Sequence, residues 1–448
     1  MAAARSAHDA TLARVVGVVL RAGAAHATPA TAVARAEADD FDWSRLYSAE
    51  GTSLPATGLL PFVGPLVPVT FPGRGLGLAC TRDVAPGELL LVERAWAIAE
   101  PEDPHQEASL AKTCYSRLDD ATLPALEREV FLGLHRKTAP ELTMQQAYAR
   151  QDTLRGYLAG QATAVEAAPA AASNSELVAE ILAANGRKTE WWDPHTLLLD
   201  ESATSCGLWL LSSLFNHSCC GNVVLTYARS APESLSTRAG RRPLDILVVR
   251  AAASIRTGEE LCHTYVYPFE PVGERRERLQ RNYGFTCCCQ RCMLEEPHAA
   301  RALELADALD RAVTGFSEAR QRRASMDAMT SVIAELRTTL SAVESVAQQV
   351  ATGPETRTLW LSQFVWGYHG LAMALEACMK PEAAEAYSAC LPLVAAAAPS
   401  GGYEVKYRMM LAQCIARQAL ARGARPRSGD AGAELREALR GAEETHGR

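Results

Sequence analysis

The chain has 448 residues, with 45 Lys+Arg against 52 Asp+Glu for a net charge of −7, and with 22% charged and 48% hydrophobic residues. This is a globular composition, long enough for two or three domains with packed cores, and not that of a disordered chain. The acidic balance argues against a protein that grips nucleic acid through its phosphates and suits basic peptides better. No apolar run approaches the ~18–20 residues that a membrane helix needs, so no membrane span is expected.

In chain order, residues 1–58 form an Ala-rich extension with Arg5, Arg14, Arg21 and Arg35 against one early acid, Asp9. Such a stretch is either an organelle-targeting segment or a loose tail. Pro61, Pro65, Pro68 and Pro72 break any helix, and Val67, Val69 and Phe71 alternate as in a short strand. Gly73-Arg74-Gly75-Leu76-Gly77 follows. Leu78–Thr81, a turn at Ala85-Pro86-Gly87 and the apolar run Leu89–Val92, continuing to Ile98, predict a small β-meander.

Residues 105–200 predict a mostly helical region. Leu118, Leu123, Leu126, Val130, Phe131 and Leu134 recur at helical spacing. Gly160–Ser173 reads as a linker, and Ser175–Ala184 as a helix stopped by Asn185-Gly186. A further helix is predicted over Gly207–Phe215. Strands are predicted over Asn222–Tyr227, Leu244–Arg250 and Leu261–Val266, with a turn at Thr257-Gly258-Glu259-Glu260. Arg275–Asn282 reads as a short charged helix. From residue 297 the chain is helix-periodic, with breaks near Gly353-Pro354, Lys380-Pro381 and Pro399–Gly402. Five or six helices in antiparallel pairs are expected, as a bundle or solenoid. The breaks match the 34-residue spacing of tetratricopeptide repeats only in part.

The thirteen cysteines carry the strongest chemical signal, since Cys287, Cys288, Cys289 and Cys292 lie within six residues. Neighbours that close cannot all bridge one another without strain, and crowded thiols read better as metal ligands in a reducing compartment. The run contains C-x-C-x-x-C, which supplies three thiolates to a tetrahedral zinc, with Cys288 able to replace a neighbour. Asn216-His217-Ser218-Cys219-Cys220-Gly221-Asn222 lies between a predicted helix and a strand, a suitable place for a polar binding site. Cys219 and Cys220 make a fourth zinc ligand available. Gly258-Glu259-Glu260-Leu261 precedes Tyr265. The glycine run Gly73–Gly77 leads into strand rather than helix, so a dinucleotide reading fails. Its use is to let backbone approach some other ligand. Taken singly, Tyr265 and Tyr283 are ordinary strand-packing tyrosines, His217 is a buried histidine, and His263 is a surface or strand residue with no role.

In this order the four pieces resemble a SET-domain protein methyltransferase, most specifically the SET-and-MYND (SMYD) type. The family's glycines correspond to Gly73–Leu76 and its N-H-S-C-x-P-N to Asn216–Asn222. Its G-E-E-L with a following Tyr corresponds to Gly258–Tyr265, and its Y-x-F-x-C-x-C-x-x-C to Tyr283–Cys292. The resemblance covers about residues 66–295. Gly221 stands where the family has Pro, which is expected to leave that turn more flexible. No MYND finger is visible, because residues 100–200 hold only Cys114 among their cysteines.

The resemblance implies an α+β fold. Residues 59–296 would hold SET-type small β-sheets with a helical insertion at about 105–200 and a zinc-binding post-SET segment at 283–296. Residues 297–448 would form an all-α, tetratricopeptide-like C-terminal domain. It implies a protein-lysine N-methyltransferase dependent on S-adenosyl-L-methionine, with Tyr265 and Tyr283 catalytic. Gly73, Arg74, Gly75, Asn185, Asn216, His217, Tyr283 and Phe285 would surround the cofactor. Cys219, Cys287, Cys289 and Cys292 would hold one structural Zn2+, with no open position for water. The partner implied is a protein, histone or not, that presents a lysine to a monomeric enzyme of the cytoplasm or nucleus. The alternative is an inactive SET-like scaffold working through its C-terminal helices. The retained Asn216, His217, Tyr265 and Tyr283 speak against that. A zinc-dependent hydrolase would need an open coordination position, which an all-Cys set does not leave.

Overall fold

The structure, a computed structural model, describes residues 60, 62–99, 103, 105–137, 144–159, 175–189, 205–228, 245–323, 325–399 and 402–421. The Ala-rich extension and the linker at Gly160–Ser173 lie outside the described residues. Two compact units emerge. One gathers the described residues of Ala36–Tyr265 and Arg278–Thr286, the other those of Val266–Glu277 and Cys287–Arg448.

The first unit is built from small sheets. Its strands are β1 (Phe62–Val63), β2 (Leu66–Phe71), β3 (Gly75–Cys80), β4 (Leu89–Arg94), β5 (Ala97–Ile98), β6 (Arg187–Thr189), β7 (Ser205–Leu208), β8 (Asn216–His217), β9 (Val223–Ala228), β10 (Ile246–Ala251) and β11 (Cys262–His263). β1-β4-β10-β9 form an antiparallel sheet, β2-β3 a hairpin, β5-β7-β6 a third sheet, and β8-β11 a parallel pair. The insertion contributes helices α1 (Gln106–Asp119), α2 (Ala125–Leu132), α3 (Met144–Leu158) and α4 (Ser175–Asn185).

The run Leu89–Val92 reads as unbroken apolar because both faces of β4 are covered. Leu90 and Leu91 join Leu78, Phe215, Leu247 and Val249 on one side, while Leu89 and Val92 meet Ile246 and Val248 on the other. Trp96, between β4 and β5, stacks on Phe131 of α2 at 4.6 Å. The insertion helices thereby close one side of the core.

The helix predicted over Gly207–Phe215 does not form. Gly207 belongs to β7, and a single 3-10 turn follows at Ser212–Leu214. Leu208, Trp209, Leu210, Leu211 and Phe215 are all buried, so this run shows no amphipathic period to separate helix from strand. The local packing explains the glycine, since a Cβ on Gly207 would lie 2.7 Å from the Trp209 ring. The strand predicted over Leu261–Val266 shrinks to β11, because its partner β8 is only two residues long. β6 escaped notice for a similar reason: three residues are too few to show alternation.

In the second unit, α6 (Gln290–Glu295) precedes six helices, α7 (Ala299–Gln321), α8 (Met326–Val350), α9 (Pro354–Leu361), α10 (Val365–Ala377), α11 (Ala383–Ala397) and α12 (Gly402–Ala421) among the described residues. The three expected breaks are present. Two more occur, one before the N-cap Ser325, whose hydroxyl accepts from Ala328 N at 3.3 Å, and one at the 3-10 turn Ser362–Phe364. Helix α10 lies tight on α7, where Cβ atoms at Gly367 and Gly370 would collide with Leu309 and Val313. Leu305, Leu336, Leu340, Trp360, Phe364 and Leu391 fill the core between the helices. Among the described residues, no helix is long and apolar enough to cross a membrane. Helix α5 (Val272–Tyr283) carries the charged stretch predicted at Arg275–Asn282.

Candidate active site

The tip of the β2–β3 hairpin holds Gly73 at φ +68° and Gly75 at φ +76°, left-handed conformations that favour glycine. A Cβ at either position would meet nothing within 4 Å, so open space lies beside both. Arg74 between them turns back onto the protein. Its Nε lies 2.7 Å from Glu260 Oε2, and its Nη2 donates to His217 O at 2.8 Å and to Cys262 Sγ at 3.3 Å. Asn216 Nδ2 donates to the other Glu260 oxygen at 2.8 Å. Glu260 thus ties Arg74 to Asn216. Gly77 is glycine for the sake of that amide, since a Cβ there would lie 2.7 Å from Asn216 Nδ2.

The parallel pair β8–β11 sets Asn216 opposite Cys262 and His217 opposite His263. The loop after β8 presses against this pair. A Cβ on Gly221 would lie 2.7 Å from both Cys262 O and His263 Cα. Glycine at this position is therefore matched to a close backbone approach.

His217 is buried, and both ring nitrogens are engaged. Tyr265 N–H donates to Nδ1 at 3.0 Å, which leaves the ring proton on Nε2, 3.4 Å from Cys219 Sγ. Around it lie the aromatic side chains expected at the site. Ring centroids are 5.3 Å apart for His217–Tyr265, 4.8 Å for Tyr265–Tyr283, 5.9 Å for His217–Phe285 and 6.4 Å for Tyr283–Phe285. The Tyr265 hydroxyl donates to Phe215 O at 2.7 Å. Burial pushes the Tyr265 phenol well above its ordinary range, with the Arg187 charge opposing, and pushes Tyr283 up in the same way. Both therefore stay protonated at neutral pH.

Tyr283 ends α5, and Gly284 at φ +81° caps the helix, its N–H bonding Leu279 O at 3.1 Å and Gln280 O at 3.2 Å. The segment after α2 fastens this corner. His135 Nε2 lies 3.2 Å from Tyr283 O, and Lys137 Nζ donates to Arg281 O at 2.6 Å. Asn185, the last residue of α4, donates from Nδ2 to His135 O and Ile181 O, both at 2.8 Å. Its amide nitrogen is thus spent on the backbone, and His135 links Asn185 to Tyr283 O.

Within one unit the sulfurs of Cys287, Cys289 and Cys292 all lie within 4.8 Å of one another, and Cys288 is exposed. Thiolates at about 2.3 Å from a tetrahedral zinc stand about 3.8 Å apart, so these three donors fit that ion. Arg276 Nε donates to Cys287 O at 2.9 Å. Behind Cys292 lies a buried trio that went unnoticed in the sequence: Glu295 takes Arg275 Nη2 at 2.5 Å and Arg291 Nε at 2.7 Å.

Three further side chains were missed. His263 was expected to be a surface or strand residue without a role. It does sit in a strand, but it is 8% exposed, its ring 4.8 Å from Tyr265. Arg187 of β6 donates from Nη2 to Ser212 O at 2.9 Å. Glu93 of β4 accepts from Leu211 N at 2.8 Å and Ser212 N at 2.9 Å, and burial pushes its carboxyl up to about 8 despite those bonds. Glu260 and His263 both stood inside the recognised stretch Gly258–Tyr265.

Residues 75–266 match the family model for the SET domain. This stretch is a SET domain. Several curated relatives are named SMYD2. N-lysine methyltransferase SMYD2 of Homo sapiens is 35% identical over 89 residues, 20% of this chain and 17% of that protein. The Gallus gallus protein of the same name is 36% identical over 84 residues, 19% of this chain and 16% of that one. A Gibberella zeae protein named methyltransferase is 26% identical over 296 residues, 61% of this chain and 37% of that one. The chain thus spans under a fifth of the length of the SMYD2 relatives it matches. Among solved structures, the SET domain of LSMT bound to lysine and AdoHcy covers 88% of this chain at 13% identity, with a TM-score of 0.29.

His217, Tyr265, Tyr283 and Phe285 form one aromatic cluster, and Glu260 joins Asn216 and Arg74 beside it. This arrangement can hold a polar ligand along the glycine hairpin and enclose an amine between aromatic rings.

Proposed function

We propose that this chain is a protein-lysine N-methyltransferase that uses S-adenosyl-L-methionine. The observation that carries the reading is the pairing of Tyr265 with Tyr283 at 4.8 Å, next to His217 and Phe285, at the C-terminal end of the SET-domain stretch and just beyond it. The open space beside Gly73 and Gly75 gives the cofactor a cradle on backbone. When bound, S-adenosyl-L-methionine supplies the methyl group on its sulfonium sulfur.

The residues present would do the rest by position and charge. A lysine must arrive as the free amine, and a buried aromatic enclosure disfavours its ammonium form. The Tyr265 hydroxyl has spent its proton on Phe215 O, so its oxygen lone pairs are left to face substrate. Tyr283 offers a ring face that attracts the methylated cation. Glu260 orients Asn216 and Arg74 for the cofactor side. Cys219, Cys287, Cys289 and Cys292 would hold zinc as a structural ion, with His217 Nε2 donating to the Cys219 sulfur. The C-terminal helices, which we read as tetratricopeptide-like, would serve protein recognition. Histone and non-histone acceptors fit equally, and the cytoplasm or nucleus is the proposed site of action.

Purified protein incubated with labelled S-adenosyl-L-methionine and a protein extract tests the reading. Transfer to protein is expected from the wild type. No transfer, together with no cofactor binding by calorimetry, would leave the inactive-scaffold reading in its place.

A further inference from the structure

The buried trio behind the cysteine run takes no part in the chemistry described above. Arg275 of α5 and Glu295 of α6 are 0% exposed, and Arg291 of α6 is 1% exposed. Glu295 Oε2 accepts from Arg275 Nη2 at 2.5 Å, and Oε1 accepts from Arg291 Nε at 2.7 Å. Arg275 Nη2 also points at Cys292 Sγ, 3.9 Å away, and Nη1 donates to Glu270 O. Two guanidiniums against one carboxylate leave one positive charge in excess. Inside a protein such a charge is costly unless an anion meets it. Glu270, Arg276 and Glu296 nearby all keep some exposure to water, which screens their charges. The sulfurs of Cys287, Cys289 and Cys292 cluster at the edge of the trio, with Cys287 and Cys292 buried. On a divalent metal, three thiolates carry one net negative charge and four carry two. The thiol and disulfide forms are neutral.

We propose that Arg275, Arg291 and Glu295 are a built-in cationic partner of the metal–thiolate centre, with Arg275 as the positioning residue at the Cys292 sulfur. The trio favours the metal-loaded cluster over a disulfide or an empty one, because the loaded form brings the missing negative charge. This rests on the zinc reading above and not on the methyltransferase assignment. Outer contacts of this kind orient metal ligands, and an N–H aimed at a thiolate draws electron density away from the metal. Glu295 has two effects. It fixes both guanidiniums in place, and it offsets one of their two charges. Exchanging it for glutamine keeps its shape and makes the surroundings more cationic, so the anionic centre is held no less tightly. A trio that acted through packing alone would show the reverse.

The test reads metal affinity rather than turnover. Full-length protein loaded with zinc is titrated with a chromophoric chelator at fixed pH, as wild type, Arg275→Met, Arg275→Lys and Glu295→Gln. Arg275→Met is expected to lower zinc affinity about ten-fold, and Arg275→Lys, which keeps the charge, to recover most of that loss. Glu295→Gln is expected to bind as tightly as wild type or more tightly. With cobalt(II) in place of zinc, the sulfur-to-metal charge-transfer band of Arg275→Met should move to longer wavelength, because a sulfur without its N–H contact gives up electrons more readily. Looser packing alone would leave that band in place. The proposal is overturned, and the zinc reading stands, on any of three results. These are a loss below about three-fold in Arg275→Met, an unmoved cobalt band, or a loss above about three-fold in Glu295→Gln. A wild type that holds no zinc overturns both. Should Arg275→Met fail to fold, Arg291→Met takes its place in the titration, since it removes the same charge without touching Cys292. It is expected to lower affinity about three-fold or more, and an affinity equal to wild type overturns the proposal.

Discussion

At Gly221 a single added methyl would press on Cys262 O and His263 Cα at 2.7 Å, both of them backbone atoms that cannot swing aside. Gly221→Ala should therefore cost about 1–3 kcal/mol, read as a lower midpoint in thermal denaturation. Gly77→Ala meets a side chain, the Asn216 amide, and is expected to weaken cofactor binding about ten-fold by calorimetry with a smaller loss of stability. Tyr265→Phe removes the hydroxyl but keeps the ring, so transfer should fall about ten-fold or more while the melting midpoint moves little. Residues of this kind were legible when they stood in contiguous motifs: Asn216, His217, Cys219, Tyr265 and Tyr283 all did. Arg187 and Glu93 were not, because their meaning lies in partners far along the chain. Ser212 is 25 residues from Arg187, and Leu211 is 118 residues from Glu93. Gly221 was legible as a departure from a motif, but the backbone it abuts was not.

Among the elements, those with a clear period or a clear stop were read well. β2, β3, β4, β9 and β10 stand where alternation and turn residues put them, and α4 ends at Asn185-Gly186. The stretch Gly207–Phe215 misled because burial on all sides erases the period. The break before α8 depends on one cap, since Ser325 takes Ala328 N–H at 3.3 Å. Ser325→Ala should cost about 1 kcal/mol, measured by thermal or urea unfolding. The C-x-C-x-x-C run pointed to a metal site by spacing alone, whereas the choice of Cys219 over Cys220 came from the family resemblance. Elemental analysis should find about one zinc per chain, and the double variant Cys287→Ser/Cys289→Ser should lose it.

For the molecule as a whole, the net charge of −7 favours encounter with basic acceptors. The rate at low concentrations of a basic protein acceptor is expected to fall several-fold between about 50 and 300 mM salt, while that with a neutral acceptor changes little. Global stability carries a second signature. Glu93 is raised to about 8 from 4.5, so the folded state holds this proton more tightly than the unfolded state does. Stability from this group is present at low pH and is lost as pH climbs through that window. His263 works in the opposite sense, but only below its ordinary 6.5. Between pH 6.5 and 8 the wild type should therefore lose up to about 1.4 kcal/mol per pH unit in denaturant titrations, and Glu93→Gln should be flat there.

That buried carboxyl bears on how any rate measurement with this protein is set up. Deprotonating an acceptor amine calls for alkaline buffer, yet Glu93 braces the turn that carries Ser212 and leads to Phe215, the anchors of Arg187 and Tyr265. A bell-shaped curve whose alkaline side descends near pH 8 would then report a failing scaffold rather than a second ionisation in the chemistry. Assays that stay mildly basic and brief would keep the two apart.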